Sequence, residues 1–390
     1  VVGAGWPVPP PPQQDFADVL PGNSFFGFVE TAYCRGMISG YSCGGLNEPC
    51  DNADHPYFRT GTDATRGQIA KIAYGAITSG QACIFPTPVP THTPAPTATP
   101  GGPCALFPAD NIWNRNIAAL PTHTLSDQYV ASIGLSTGMH PDFGSGLYQG
   151  EPIGIPFTTV TAAQPYVPVT FTAYGDQSDP GPYPVPTNAP IEGGPTSNGD
   201  RHVLVVDTGN CGLYEMGRAF PQPDGSWQAD AGAVWSLPSN ALRPDTWTSA
   251  DAAGLPMLPG LVRYDEVAAG VIHHALRFTV NASQRAYLWP ARHYASSDTS
   301  PTLPPMGLRL RLKATVDISG YPATDRVILQ ALKDYGMFVA DNGSSWYLNG
   351  VPDERWDNDI LHQLGGIVGS NFEAVDESGL MIDPNSGQSR

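Results

Sequence analysis

Three histidines stand on or beside stretches that read as strands: His202 in SNGDRHVLVVD, His274 in VIHHALRF and His293 in WPARHYAS. Brought to one point they can bind a metal or move protons, because imidazole is both a ligand and an acid/base group near neutral pH. A plainer reading stands beside this one. In a period-two register His202 shares a face with Leu204 and Val206, and His274 with Leu276 and Phe278, where a hydrogen-bonded histidine is simply structural. Both readings stay open on the residues alone.

Carboxylates surround the same stretches: Glu192, Asp200, Asp207, Glu215, Asp251, Asp265 and Glu266. Glycan hydrolases and lyases need only two carboxyl groups, or a His/Tyr/Arg set, gathered from distant strands, so no short motif announces them. If sugars are cleaved, Glu215 and Asp265 are the expected acid/base pair. Three other acids have structural readings. Asp207 is expected to pair with Arg201 across one strand face. Asp251, in TWTSADAAGLP, is expected in the first turn of a short helix capped by Thr248 or Ser249. Asp341, in ADNGSSW, is expected to bond the backbone of a turn. Exposed indole rings stack on sugar faces, and Trp247 and Trp289 are the candidates for that role. No H-E-x-x-H, no Walker loop and no G-x-G-x-x-G after a strand occurs, so zincin, NTPase and dinucleotide readings are poor and no cofactor is expected.

The elements that must position these residues are short. Gly and Pro number 43 and 41 in 390 residues, against a usual combined share of about 12%. Such a density of breakers favours many short strands joined by loops. Alternating runs at 167–175, 201–208, 211–220, 273–280, 285–291 and 308–316 read as strands, and Thr208-Gly209-Asn210 as the turn of a hairpin. DRVILQALKDYGM (325–337) reads as an amphipathic helix, with a second short one at 357–367. The expected class is mainly β: a β-sandwich or jelly-roll-like domain over 104–390 with peripheral helices, preceded by a small α-helical module.

A formal net charge of −17 disfavours nucleic acid, anionic membranes and other polyanions as partners. No run of about 18 apolar residues occurs, so no membrane insertion is expected. The start at Val1 without Met suggests a mature form after removal of a signal peptide. Six cysteines without CxxC or Cys/His zinc spacing point to disulfides and an oxidising compartment. Cys104 is expected to join Cys211, with Cys34, Cys43, Cys50 and Cys83 pairing among themselves.

Residues 1–15 form a Pro-rich arm, 16–84 a module, and 85–103 a Pro/Thr tract that reads as a linker or stalk, with O-glycosylation candidates at Thr87, Thr91, Thr93, Thr97 and Thr99. Asn281-Ala282-Ser283 is an N-glycosylation sequon. The text from Phe16 to Ala76 resembles an S-layer homology motif. Phe16, Asp18 and Val19 match its F-x-D-v start, FFGFVETAYCRGMISGY its first helix and the following turn, and Thr65-Arg66 the opening of its second helix. It departs from the family in the longer segment between Gly44 and Tyr57 and in standing as a single copy. Through GDRHVLVVD, LRPDTWTSADAAGLPMLPGLVRYDEV and YGMFVADNGSSWY, residues 104–380 resemble an uncharacterised group of bacterial secreted proteins, which carries no function with it. These resemblances imply an extracellular, cell-surface protein. The leading expectation is a structural protein that assembles with copies of itself, head to tail, into a filament, sheath or lattice near a wall glycan. The alternative is a surface-displayed glycan hydrolase or lyase, or a carbohydrate-binding protein.

Overall fold

A computed structural model describes residues 16–19, 26–34, 38–39, 41, 43, 55–59, 104–148 and 150–390. The Pro-rich arm, on which head-to-tail assembly rests, lies outside them, as do the Pro/Thr tract with its five threonines and the Thr65-Arg66 helix. The chain divides into two compact units, Val1–Ala95 and Pro96–Arg390.

In the smaller unit, helix α1 (Phe26–Cys34) sets Val29 against Phe16 and Val19, with Tyr33, Ile38 and Phe58 packed around them. The Asp18 carboxylate accepts the backbone N–H groups of Phe58 and Arg59, both at 2.6 Å, and so ties the start of the module to residues 58–59. Cys34 and Cys43 are both disulfide-bonded.

The larger unit runs, in chain order, through helix α2 (Ser126–Ile133), strands β1 (His140–Asp142), β2 (Leu147–Tyr148), β3 (Glu151–Pro152), β4 (Phe157–Val160), β5 (Val169–Phe171), β6 (Val203–Asp207), β7 (Gly212–Gly217), β8 (Phe220–Pro221), β9 (Trp227–Ala229) and β10 (Ala231–Ser236). Helix α3 (Tyr264–Ala268), β11 (Leu276–Val280), β12 (Arg309–Leu312), α4 (Ala323–Asp334), β13 (Met337–Asn342), β14 (Tyr347–Asn349), α5 (Asn358–Leu361) and β15 (Phe372–Ala374) complete it. Strands outweigh helices, and they form sheets rather than a barrel. A six-stranded sheet has the order β1-β14-β11-β13-β12-β15, a four-stranded sheet β10-β7-β6-β4, and smaller sheets join β5-β9-β8 and β2-β3.

Parallel and antiparallel pairs are mixed in these sheets. The parallel pair β11–β13 needs a long crossover, and the chain between them carries β12 and α4. Helix α4 buries Ile328, Leu329, Ala331 and Leu332, the apolar stripe that its 3.6-residue period provides. Strand β6 is buried along all five residues and β11 along four of its five, including Arg277. Alternation on these strands therefore does not separate core from solvent, because both faces are covered. The run at 285–291 forms no strand: only Tyr287 bridges, to Met306, and Pro290 has no N–H to offer a ladder.

The β6–β7 hairpin forms as its turn residues require, with Asp207 opposite Gly212. Asp207 does not pair with Arg201. Its carboxylate accepts the N–H groups of Gly209 and Asn210, the Asn210 side chain and the Tyr166 hydroxyl, which closes the turn. Arg201 instead donates to the carbonyls of Pro195, Ser197 and Ala219.

Cys104 and Cys211 form the expected disulfide, spanning 107 residues. Replacing both by Ser is expected to lower the unfolding free energy of the larger unit by about 4 kcal/mol through the freed loop entropy of the unfolded chain. Guanidinium denaturation followed by tryptophan fluorescence checks this, and an unchanged midpoint contradicts it.

Candidate functional site

A cleft of about 780 Å³ opens on the larger unit, lined in part by His202, Asp251, Arg285, His293, Tyr294 and Asp341. Its construction starts with an irregularity in the β11–β13 pair. Phe278 lies opposite Val339 but Thr279 opposite Asp341, so Ala340 is an extra residue in the register. Such a bulge re-aims neighbouring groups. The Ala340 carbonyl accepts the N–H of Ala253 at 3.0 Å, and the Ala253 carbonyl accepts the N–H groups of Arg292 and His293. One residue thereby ties the turn that carries Asp251 to the strand that carries Asp341 and to the loop that carries His293. Gly254 completes the turn at φ +68°, where an added Cβ would come within 2.5 Å of the Trp247 carbonyl.

No helix forms at 248–254. Ser249 does bond the N–H of Asp251, at 2.9 Å, but the chain makes a turn there. The reason is the Asp251 side chain, which points into the protein. Its Oδ2 accepts Arg277 Nη2 at 2.9 Å and Nε at 3.1 Å, and its Oδ1 accepts the Ala253 N–H at 2.8 Å. Arg277 also donates to Asn349 Oδ1 at 2.6 Å, and Asn349 donates to Asp142 at 3.3 Å. A buried polar chain thus crosses β1, β14 and β11 and ends at the floor of the cleft.

Asp341 lies within reach of the Asp251 charge, and among the described residues its carboxylate accepts one hydrogen bond, from the N–H of Asn342. Burial, then the neighbouring charge of Asp251, pushes its carboxyl up to about 7. Burial pushes Asp251 up as well, against the Arg277 charge. The Arg277 guanidinium forks onto Asp251, which also takes the Ala253 amide, and Asp341 has no such fork among the described residues. Protonation is therefore tolerated more readily at Asp341 than at Asp251.

His202 holds the far side of the turn. Its Nδ1 lies 2.5 Å from Glu192 Oε2 and its Nε2 3.0 Å from the Ala250 carbonyl, so as an imidazolium it donates from both nitrogens. Burial works to lower its pKa, but the Glu192 carboxylate more than reverses this, raising it to about 9. For Glu192 burial acts upward, and His202 holds it below the usual carboxylate range. His293 donates from Nδ1 to the Ala252 carbonyl at 2.9 Å.

The remaining sequence candidates lie elsewhere. His274 is buried, bonded to the Ala275 carbonyl, Arg263 and Glu266, so the three histidines do not converge. Glu215 is fully buried and accepts the N–H groups of Met257 and Leu258 and the Trp235 indole, an anchor for the turn at 257–260 rather than an acid in contact with solvent. Asp265 is exposed on α3 and pairs with Arg355 at 2.8 Å. Glu215 and Asp265 therefore occupy different environments, and neither lines the cleft. Trp247 lies under the Arg243 guanidinium, and the Trp289 indole donates to the Ser386 carbonyl. The aromatic rings lining the cleft are Tyr174 and Tyr294. Asn281 is exposed. Among the described residues no group of three or more His, Cys, Asp or Glu side chains could hold a metal ion. The letters G-x-S-x-G occur at Gly134–Gly138, but they follow helix α2 instead of joining a strand to a helix, and Ser136 is no nucleophile elbow.

Comparison with known protein families, with curated proteins and with solved structures finds no match to this chain.

The His202–Glu192 pair makes stability depend on pH in a defined direction. A histidine raised from 6.5 to about 9 contributes stability that is complete below pH 6.5 and is lost as the pH rises through 9. Thermal melts of the wild type and His202→Gln are expected to differ by on the order of 3 kcal/mol at pH 6 and to converge by pH 10. A difference that stays constant across this range contradicts the pairing.

Proposed function

We propose that the larger unit cleaves a glycan in this cleft, with Asp341 donating a proton to the glycosidic oxygen. One observation carries the reading: two carboxyl groups line an open cleft in unlike settings, Asp251 held in the Arg277 fork and Asp341, its carboxyl pushed up to about 7, without such a fork among the described residues. A side chain that is acidic near the working pH is the requirement for protonating a leaving alkoxide. The flat ring of Tyr294 on the cleft wall supports a sugar as the occupant.

The disulfides fit an extracellular site of action. The packing of Phe16 and Val19, with Asp18 closing on residues 58–59, supports reading the smaller unit as an S-layer-homology-like anchor to a wall glycan. In that arrangement the Pro/Thr tract is a spacer that gives the enzyme reach from the cell surface.

The test is release of new sugar ends from a panel of polysaccharides by the full chain and by Asp341→Asn. Turnover is expected to fall at least 100-fold in the variant, with its melting temperature retained. Wild-type protein that releases no ends from any member of the panel, or a variant as active as the wild type, overturns the reading.

A further inference from the structure

Resting on the reading of the cleft as glycan-cleaving, we propose that the reaction is a β-elimination on a glycan containing uronic acid, with His293 as the base and Arg285 as the anchor of the uronate carboxylate. The first argument comes from what a hydrolase would need. Both routes of glycoside hydrolysis require a second, free carboxylate to attack the sugar or to activate water. Asp251 cannot serve. It is 1% exposed and both its oxygens are already committed, to Arg277 and to the Ala253 N–H. Asp230, on the cleft wall, accepts the Thr172 hydroxyl and pairs with Arg218. The carboxylate left for hydrolysis is Asp200, which is exposed.

A base of another type is in place. His293 Nδ1 donates to the Ala252 carbonyl, so in the neutral ring the proton sits on Nδ1 and the lone pair on Nε2. Among the described residues Nε2 has no hydrogen-bond partner. The ring is set by its backbone bond to Ala253 and lies parallel to the Tyr294 ring, at 3° and 5.6 Å between centroids. Tyr294 stacks in turn on Tyr287, whose hydroxyl is held by Asp245. Proton acceptor and stacking surface are thus parts of one fixed aromatic row.

Arg285 supplies the third group. Its Nε donates to the Tyr294 hydroxyl at 3.3 Å, which places the guanidinium over that ring. Among the described residues its two terminal nitrogens have no hydrogen-bond partner and no carboxylate lies within salt-bridge distance, whereas Arg218, which also lines the cleft, is paired with Asp230. An arginine left open in a chain with 36 acidic residues marks a place kept for a carboxylate that the protein does not itself provide.

The chemistry balances. With the uronate charge held by Arg285, the C5–H bond is acidic enough to break, and its proton passes to His293 Nε2. The electron pair forms the C4–C5 double bond, the C4–O bond breaks, and the departing oxygen takes the proton of Asp341. Imidazolium and carboxylate then return to their starting states by exchange with solvent. The net charge of −17 selects against densely charged chains and favours uronates spaced by neutral sugars, and added salt should speed the reaction by screening the repulsion.

The experiment incubates the full chain with deacylated gellan, a polysaccharide whose backbone carries 4-linked glucuronate between neutral sugars, with the same polymer after its carboxyl groups are reduced to alcohols, and with neutral xylan and cellulose. New reducing ends and the ultraviolet absorbance of unsaturated uronyl ends are followed together. The expected result is equal amounts of both from the acidic polymer and neither from the other three. His293→Gln should lose at least 100-fold in rate with an unchanged melting temperature, and Arg285→Lys should raise KM more than it lowers kcat. Reducing ends without unsaturated ends mean hydrolysis and overturn the elimination while leaving a cleaving cleft. Full activity in His293→Gln overturns the base. No new ends from any polymer overturn both this inference and the reading it rests on.

Discussion

Arg277 is a guanidinium on a strand inside the six-stranded sheet, and it is 2% exposed. A charge there is tolerated only with an opposite charge and filled hydrogen-bonding positions around it. Asp251 supplies the charge, and to reach it the 248–254 turn must come down onto the sheet. Asn349 fills another position and connects to Asp142. With Asp251 committed in this way, burial and then the Asp251 charge push the next carboxyl, Asp341, up to about 7. The unusual acid of the cleft thus follows from its burial beside one committed ion pair.

The same device recurs through the larger unit. Arg309 is fully buried with Glu377 and with the carbonyls of Ile112 and Arg115, Arg263 meets Glu266 at 2.5 Å, and Arg243 meets Asp179 and the carbonyls of Gln177 and Thr248. A chain so rich in Gly and Pro has many loops whose carbonyls need donors. Arginine, with several N–H groups in one rigid plane, satisfies two or three at a time. Only 14% of the residues are charged, and many of these arginines lie inside, fastening loops to sheets.

Much of the scaffold was legible from the residues. The β6–β7 hairpin, helix α4 and the Cys104–Cys211 bridge follow from turn chemistry, helical period and cysteine count. Local rules decide these elements. The site was harder, because its members lie on separate segments at 200–202, 248–254, 285, 292–294 and 340–342 and meet only through long-range hydrogen bonds. His202 and His293, which stand out by residue type, line the cleft. TWTSADAAG and ADNGSSW carry strong local signals that point Asp251 to a helix and Asp341 to a turn, and Arg277 and an extra residue in a strand register outweigh them. Neither competitor leaves a mark in nearby sequence. Glu215 and Asp265 misled for the opposite reason: as isolated letters they are suitable acids, and only burial and exposure distinguish them from the pair in the cleft.

The direct measurement is a carboxyl carbon-13 NMR titration of the aspartate-labelled full chain, with the Asp341 resonance identified by its loss in Asp341→Asn. The account predicts a midpoint near 7 for Asp341, moving toward the ordinary aspartate range when Asp251 is replaced by Asn. A midpoint near 3.8, the ordinary value for an aspartate, in the unsubstituted protein would mean that both carboxyl groups are ionised at neutral pH, and the cleft would then hold no acid to protonate a leaving group.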